Sequence, residues 1–104
     1  MSSNDAPSEA LSTAQAEQMA QLYRALADAT RVRIIAVLLE GERVVGEIAE
    51  ALSMSMSAIS HQLSLLRLMN VVTFRRDGRR VYYRLADEHI MSLYQQSLHH
   101  ISHS

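Results

Sequence analysis

Four residues near the C-terminal end of this 104-residue chain have the types and the spacing of metal ligands. They follow the pattern D-x-H-x10-H-x2-H and are Asp87, His89, His100 and His103. Carboxylate oxygen and imidazole nitrogen are the donors of tetrahedral sites for a borderline cation, which favours Zn(II) and, next to it, Co(II). The chain has no cysteine, so thiolate metal sites, disulfides and thiol redox switches are excluded.

The spacing of these ligands makes a geometric demand. Eleven residues separate His89 from His100, which returns to about the same helix face but places the two side chains about 16 Å apart along the axis. One helix therefore cannot close the site, whereas an antiparallel copy of the same helix can. We expect a homodimer with two equivalent sites, each taking Asp87 and His89 from one protomer and His100 and His103 from the other. The apolar stripe that such a pairing would bury is Ile90, Leu93, Tyr94, Leu98 and Ile101.

A second group of residues indicates nucleic-acid binding. The net charge of -1 is the sum of a basic segment and two acidic ones. Residues 54–85 carry +5, while residues 1–53 carry -4 and residues 86–104 carry -2. Every basic side chain is arginine, whose planar fork suits phosphate. The arginines that could contact the DNA backbone are Arg67, Arg75, Arg76, Arg79 and Arg80.

The elements that must position both groups follow from apolar periodicity. Helices are predicted over residues 15–27, 30–39 and 44–52, then from the SMSMS segment to about residue 69, and finally from Asp87 onward. Between the last two, strands over 71–76 and 79–85 flank Asp77-Gly78, a strong hairpin signal. Residues 1–13 are predicted to be a flexible arm and residues 14–104 one domain, mainly α with a β-hairpin.

Two helices with a short break, followed directly by an arginine-flanked hairpin, predict a winged helix-turn-helix. Ser53 occupies the turn, where many such sequences have glycine. If Ile59, Leu63 and Leu66 face inward, the opposite face can enter a major groove of double-stranded DNA. That face carries Ser57, Ser60, His61 and Ser64, with Arg67 one turn further on. A purely solvated surface would show the same residue types, but not the same order of elements.

The sequence also resembles the ArsR/SmtB metalloregulatory repressors from about residue 15 to residue 104. The segments that carry the resemblance are LADATRVRIIAVLLEGERVVGEIAEAL, SMSAISHQLSLLRLMNVV and RRDGRRVYYRL. It departs from the family at Ala29, where many members have proline, and at Val44-Val45, where thiolate-using branches have a cysteine motif. The resemblance implies DNA contacts at Met56, Ser57, Ser60 and His61 and along the wing over 75–80. It also identifies the Asp/His pattern with the zinc- and cobalt-sensing branch.

The function expected on these grounds is metal-responsive repression. An apo homodimer would bind an inverted-repeat operator, and Zn(II) or Co(II) would lower its DNA affinity and release metal-homeostasis genes. The resemblance implies a coupling route from His100 to the backbone near Met69 and Asn70. A cytoplasmic protein is expected, since neither a secretory signal nor an apolar membrane segment is visible.

Three alternatives remain open at this stage. A winged-helix regulator without metal input would keep its DNA affinity when zinc is added. A nickel sensor would need further ligands for an octahedral site, such as His99 or the C-terminal carboxylate. An enzyme or a metal buffer would use the same centre for hydrolysis or storage, but four protein ligands suggest a closed site, and no separate nucleophile or acid-base constellation appears. We therefore expect no catalytic residues.

Overall fold

The computed structural model describes residues 10–103 and contains five helices and one antiparallel hairpin within that range. The elements are α1 (Thr13–Leu26), α2 (Ala29–Leu38), α3 (Val45–Leu52), α4 (Met56–Leu68), β1 (Val72–Asp77), β2 (Arg80–Leu85) and α5 (Glu88–Ser102). The predicted winged helix-turn-helix is confirmed, with α3 and α4 as the helix pair and the hairpin as the wing. Most of the predicted N-terminal arm, residues 1–9, lies outside the described residues.

Short polar side chains set the starts of four helices by accepting hydrogen bonds from backbone N–H groups in the first turn. Ser12 and Gln15 form a reciprocal capping box at α1, and the Asp28 carboxylate accepts from the backbone N–H of Arg31 at α2. Ser55 accepts from the backbone N–H of Ala58 and so begins α4 within the SMSMS segment. Asp87 caps α5 in the same way, as its position in the sequence predicted.

The turn between α3 and α4 depends on Ser53, which adopts a left-handed conformation with φ 57° and ψ 45°. This conformation ends α3 and reverses the chain, so that α4 crosses over it. A residue with a Cβ is strained there by about 1–2 kcal/mol relative to glycine, which explains why glycine is frequent at this turn. Ser53 therefore adopts the conformation that the turn requires, at some cost in the stability of the fold.

The wing differs by one residue from the sequence prediction. Asp77 pairs with Arg80 and belongs to β1, so the two-residue loop is Gly78-Arg79 rather than Asp77-Gly78. Gly78 has φ 64° and occupies the first loop position, where the tight hairpin turns require positive φ. The shift places Arg79 at the tip of the wing and Arg80 at the start of β2.

The core is built from the inward faces of α2, α3, α4 and the base of the wing. Ile59, Leu63 and Leu66 are completely buried, as predicted, and they fix which face of α4 points outward. Ala49 is buried where α3 meets α4. None of the helices within residues 10–103 is long and apolar enough to cross a membrane.

Candidate DNA-binding surface and metal-ligating residues

The outward face of α4 brings together the polar residues that the sequence assigned to DNA. Met56 begins the helix with 59% of its surface exposed, and the remaining members of the set are also exposed. They are Ser57, Ser60, His61, Ser64 and Arg67. Three of these residues are serines with short side chains, and the long Arg67 side chain lies only in the last turn of α4. The helix can therefore approach base edges closely.

The orientation of α4 is fixed by a hydrogen bond that the sequence did not reveal. Arg31 Nε, on α2, donates to Gln62 Oε1 at 2.9 Å, and Arg31 Nη1 donates to the carbonyl oxygen of Arg24 at 3.3 Å. One side chain therefore connects the end of α1, the start of α2 and the middle of α4. Gln62 follows His61, so this bond holds the turn of α4 that carries the exposed histidine.

The wing arginines are not equivalent, because strand alternation divides them between two faces. Arg75 is held by Glu42, which precedes α3: Arg75 Nε lies 3.0 Å from both carboxylate oxygens, and Arg75 Nη2 lies 2.9 Å from Oε1. Arg84 approaches the same carboxylate at 4.0 Å. The hydrogen bond from Arg75 lowers the pKa of Glu42 below its ordinary value. Arg75 is thus neutralised within the chain.

Two other arginines share one aromatic ring. The guanidinium carbon of Arg67, on α4, lies 4.1 Å from the centroid of Phe74, and that of Arg76 lies 5.6 Å from the same centroid. Phe74 is itself half-buried and packs against Tyr83 with the ring centroids 5.6 Å apart. Arg80 lies 5.7 Å from the ring of Tyr82, and Arg79 is exposed in the loop.

The base of the wing is also joined to the segment before α3. Arg43 and Tyr83 exchange two backbone hydrogen bonds, of 3.0 and 2.8 Å, and form an isolated bridge beside β2. Together with the Glu42 and Arg75 ion pair, this bridge ties the wing to the helix pair at its outer edge. Sequence reasoning missed this attachment. The signal in the sequence was the acidic Glu42, which precedes α3 and could pair with an arginine of the later hairpin.

At the start of α5, two of the predicted metal ligands already lie together. Asp87 Oδ1 accepts from the backbone N–H of His89 at 2.8 Å and from that of Ile90 at 3.3 Å, and it lies 3.4 Å from His89 Nδ1. Desolvation raises the pKa of Asp87, but the backbone hydrogen bonds from Ile90 and His89, together with the nearby His89 side chain, outweigh it and hold that pKa below its ordinary value. The His89 side chain is 91% exposed.

The other two predicted ligands lie at the far end of α5. His100 is exposed in the last turn, and His103 ends the helix. The ring of His103 stacks on that of His99 with centroids 4.2 Å apart, and His103 Nδ1 lies 2.9 Å from the carbonyl oxygen of His99. His99, which the sequence pattern left out, is therefore the immediate neighbour of a predicted ligand.

Within residues 10–103 of a single chain, no three His, Cys, Asp or Glu side chains converge on a point that could hold a metal ion. Each end of α5 instead offers two donors: Asp87 and His89 at one end, and His100 and His103 at the other. An oxygen and three nitrogen donors suit a borderline cation such as Zn(II). Each pair supplies two donors, which is half the number that a tetrahedral site takes.

The apolar stripe of α5 changes character along the helix. Ile90 is buried in the core of its own protomer, with 6% exposure, so it is not part of a free apolar face as the sequence suggested. Further along, Leu98 is 46% exposed and Ile101 is 68% exposed. Helix α1 also exposes Met19 at 42% and Tyr23 at 53%. The two terminal helices therefore both present apolar side chains to the outside.

Comparison with known proteins places this arrangement in a family. Residues 28–73, which include α3 and α4, match the model described as "Bacterial regulatory protein, arsR family". The chain is 46% identical over 96 residues to the "Transcriptional repressor SmtB homolog" of Synechocystis sp., covering 92% of this chain and 73% of that protein. It is 38% identical over 97 residues to the "HTH-type transcriptional regulator NmtR" of Mycobacterium tuberculosis, covering 93% and 81%.

Solved structures agree with the sequence comparison. One of them is the homodimeric winged helix-turn-helix DNA-binding domain of Mb0332 from Mycobacterium bovis, described as a possible ArsR-family transcriptional regulator. It is 31% identical to this chain, with a TM-score of 0.81, and the match covers 98% of this chain and 90% of that one. The similarity extends over the helices, the wing and α5 together.

Proposed function

This chain belongs to the ArsR family of bacterial regulatory proteins, and from that membership and its geometry we propose that it is a homodimeric, metal-responsive repressor. The exposed face of α4 and the wing bind operator DNA in the apo form. A metal ion bound between two α5 helices lowers that affinity. Relatives named as transcriptional repressors and a homodimeric neighbour support the proposal.

The observation that carries the metal part is the division of the donors between the two ends of α5. Asp87 and His89 lie at its start, His100 and His103 lie at its end, and the exposed apolar residues of α1 and α5 offer a surface for a second copy. Antiparallel pairing of two α5 helices brings complementary halves together twice. The residues that would hold the metal are Asp87 and His89 of one protomer and His100 and His103 of the other. The metal would supply a cross-link between the protomers.

The same pairing serves DNA binding. Two α4 helices related by a two-fold axis fit successive major grooves about 34 Å apart on an inverted repeat. A metal that changes the relative orientation of the protomers changes that spacing. By linkage, DNA must weaken metal binding by the same factor by which metal weakens DNA binding. Zn(II) is the proposed effector, with Co(II) next, because the four donors are nitrogen and oxygen.

The test is a DNA-binding titration on a duplex that the apo protein selects from a random-sequence library. Fluorescence anisotropy gives the affinity without metal and with Zn(II), Co(II) or Ni(II). We expect Zn(II) to lower the affinity by at least fivefold, which is the low end of ordinary allosteric coupling. Absence of duplex binding at low salt would refute the repressor, and a Zn(II)-independent affinity would favour a regulator without metal input.

Two variants locate the site. His100→Ala is expected to abolish the response to Zn(II) while leaving apo DNA binding intact, since His100 lies in the last turn of α5, outside the DNA-facing residues of α4 and the wing. His99→Ala is the matched control on the adjacent position and should keep the Zn(II) response. Loss of response in His99→Ala, together with a stronger response to Ni(II) than to Zn(II) in the unaltered protein, would instead support a nickel site in which His99 is a fifth donor.

A further inference from the structure

The arginines of the DNA-facing segment differ in how their charge is balanced. Glu42 holds Arg75 through two hydrogen bonds and an ion pair, and Arg84 also approaches that carboxylate. Arg67 and Arg76, by contrast, form no ion pair with any acidic side chain in the part of the chain that the structure describes. Both instead lie over the ring of Phe74. Two positive charges without an acidic partner therefore lie 4.1 and 5.6 Å from the centre of one ring.

This place lies at the junction between the recognition helix and the wing. Arg67 belongs to the last turn of α4, whereas Arg76 lies two residues after Phe74 on the same face of β1. Contact with one ring limits the conformers of both long side chains, which otherwise lose entropy on binding. The packing of Phe74 against Tyr83 fixes the ring in turn.

Resting on the repressor function proposed above, we propose that Arg67, Phe74 and Arg76 form a composite clamp for one DNA backbone phosphate. The two arginines are the phosphate ligands, and Phe74 is a positioning residue because both guanidinium groups contact its ring. Guanidinium groups bind phosphate oxygens with parallel charge-assisted hydrogen bonds, and two of them can share one phosphodiester. A cation stacked on an aromatic ring keeps its N–H groups available at the edge. Arg75 takes no part, because Glu42 occupies it.

The clamp has a thermodynamic signature that independent arginines lack. Each neutralised phosphate contributes a slope of about -0.9 to the plot of log affinity against log salt concentration. If both arginines hold one phosphate, removing either of them releases that phosphate. We therefore expect Arg67→Gln, Arg76→Gln and the double variant each to reduce the slope by about 0.9. Independent contacts would reduce it by about 1.8 in the double variant.

Phe74 is tested by a pair of substitutions with different ring chemistry. Phe74→Leu keeps an apolar side chain but removes the ring, and we expect the same slope reduction of about 0.9 and about an eightfold loss of affinity at 0.1 M salt. Phe74→Tyr keeps the ring and should retain the slope and the affinity. If Phe74→Tyr keeps the DNA affinity that Phe74→Leu loses, the arginines need an aromatic ring to stack on and not only an apolar side chain that fills the space.

The experiment is a salt titration of duplex affinity, by fluorescence anisotropy from 50 to 300 mM NaCl, with the apo protein and its selected duplex. Arg33→Gln is the control, because Arg33 is an exposed arginine of α2 outside the DNA-facing set, and it should leave the slope unchanged. Additive losses in the double arginine variant, or no change on Arg67→Gln and Arg76→Gln, would overturn the clamp. In that case, a DNA affinity of the unaltered protein that falls when Zn(II) is added would still support the proposed repressor function. If the unaltered protein binds no duplex, both proposals fail.

Discussion

Replacing Glu42 by glutamine tests whether a carboxylate of the protein keeps one wing arginine away from DNA. In the structure, Arg75 Nε lies 3.0 Å from both Glu42 oxygens, so the guanidinium that could bind phosphate is already engaged. Glutamine keeps the shape of the side chain and removes its charge. The freed Arg75, exposed on the wing, can then contact a backbone phosphate.

The size of the effect follows from the release of one more counterion. One additional phosphate contact makes the slope of log affinity against log salt more negative by about 0.9, which raises affinity about eightfold at 0.1 M salt. The assay is the same anisotropy titration across salt concentrations. The double variant Glu42→Gln with Arg75→Gln should lose the gain, because it lacks the Arg75 guanidinium that would make the new contact.

The matched control for this substitution is Glu40→Gln, two residues away. Glu40 pairs with Arg43 at 3.6 Å and its side chain is 77% exposed, so the substitution makes the same change in net charge without touching the wing arginine. It should leave the slope unchanged. If Glu42→Gln lowers the DNA affinity, or changes it no more than Glu40→Gln does, then the ion pair positions the wing and does not mask Arg75.

Three further predictions concern stability. Ser53→Gly relieves the strain of the left-handed turn and should raise the free energy of unfolding in urea by about 1 kcal/mol. Ser60→Gly within α4 should instead lower it by a similar amount, and a change of the same sign and size in both variants would contradict the strain argument. Leu63→Ala, at a fully buried position, should cost about 2–5 kcal/mol at the same protein concentration, and a cost below 1 kcal/mol would mean that α4 repacks. The pKa of Glu42 is lowered by Arg75, so this ion pair stabilises the fold above the ordinary pKa of 4.5, and the contribution is lost as the pH falls further. Acid unfolding of Glu42→Gln, followed by circular dichroism, should therefore depend less on pH below that value.

Much of the fold was predictable because its determinants are local. The serine and aspartate caps lie within three residues of the N–H groups that they bind, and the burial of Ile59, Leu63 and Leu66 follows from helical spacing. The wing loop was predicted one residue too early in the sequence. A tight turn can have Gly78 as either its first or its second loop residue, and the observed strand register makes it the first.

The interactions that differentiate the site residues were not predictable from the sequence. Arg75 finds Glu42 across 33 residues of chain, and Arg31 finds Gln62 across 31. Charge and periodicity place these side chains on surfaces, but only the tertiary packing decides which of them meet. The predicted metal ligands show a similar limit, because one chain places two of them at the start of α5 and the other two at its end.

The bridge between Arg43 and Tyr83 has a mechanical consequence. The wing is attached at Tyr83 by these backbone hydrogen bonds and at Phe74 by its contact with Arg67 of α4. We therefore expect the wing and the recognition helix to move together. On the proposed function, an effector bound on α5 would then act by rotating one protomer against the other. We expect the amide hydrogen exchange of Tyr83 to be slow, and equally slow with and without metal.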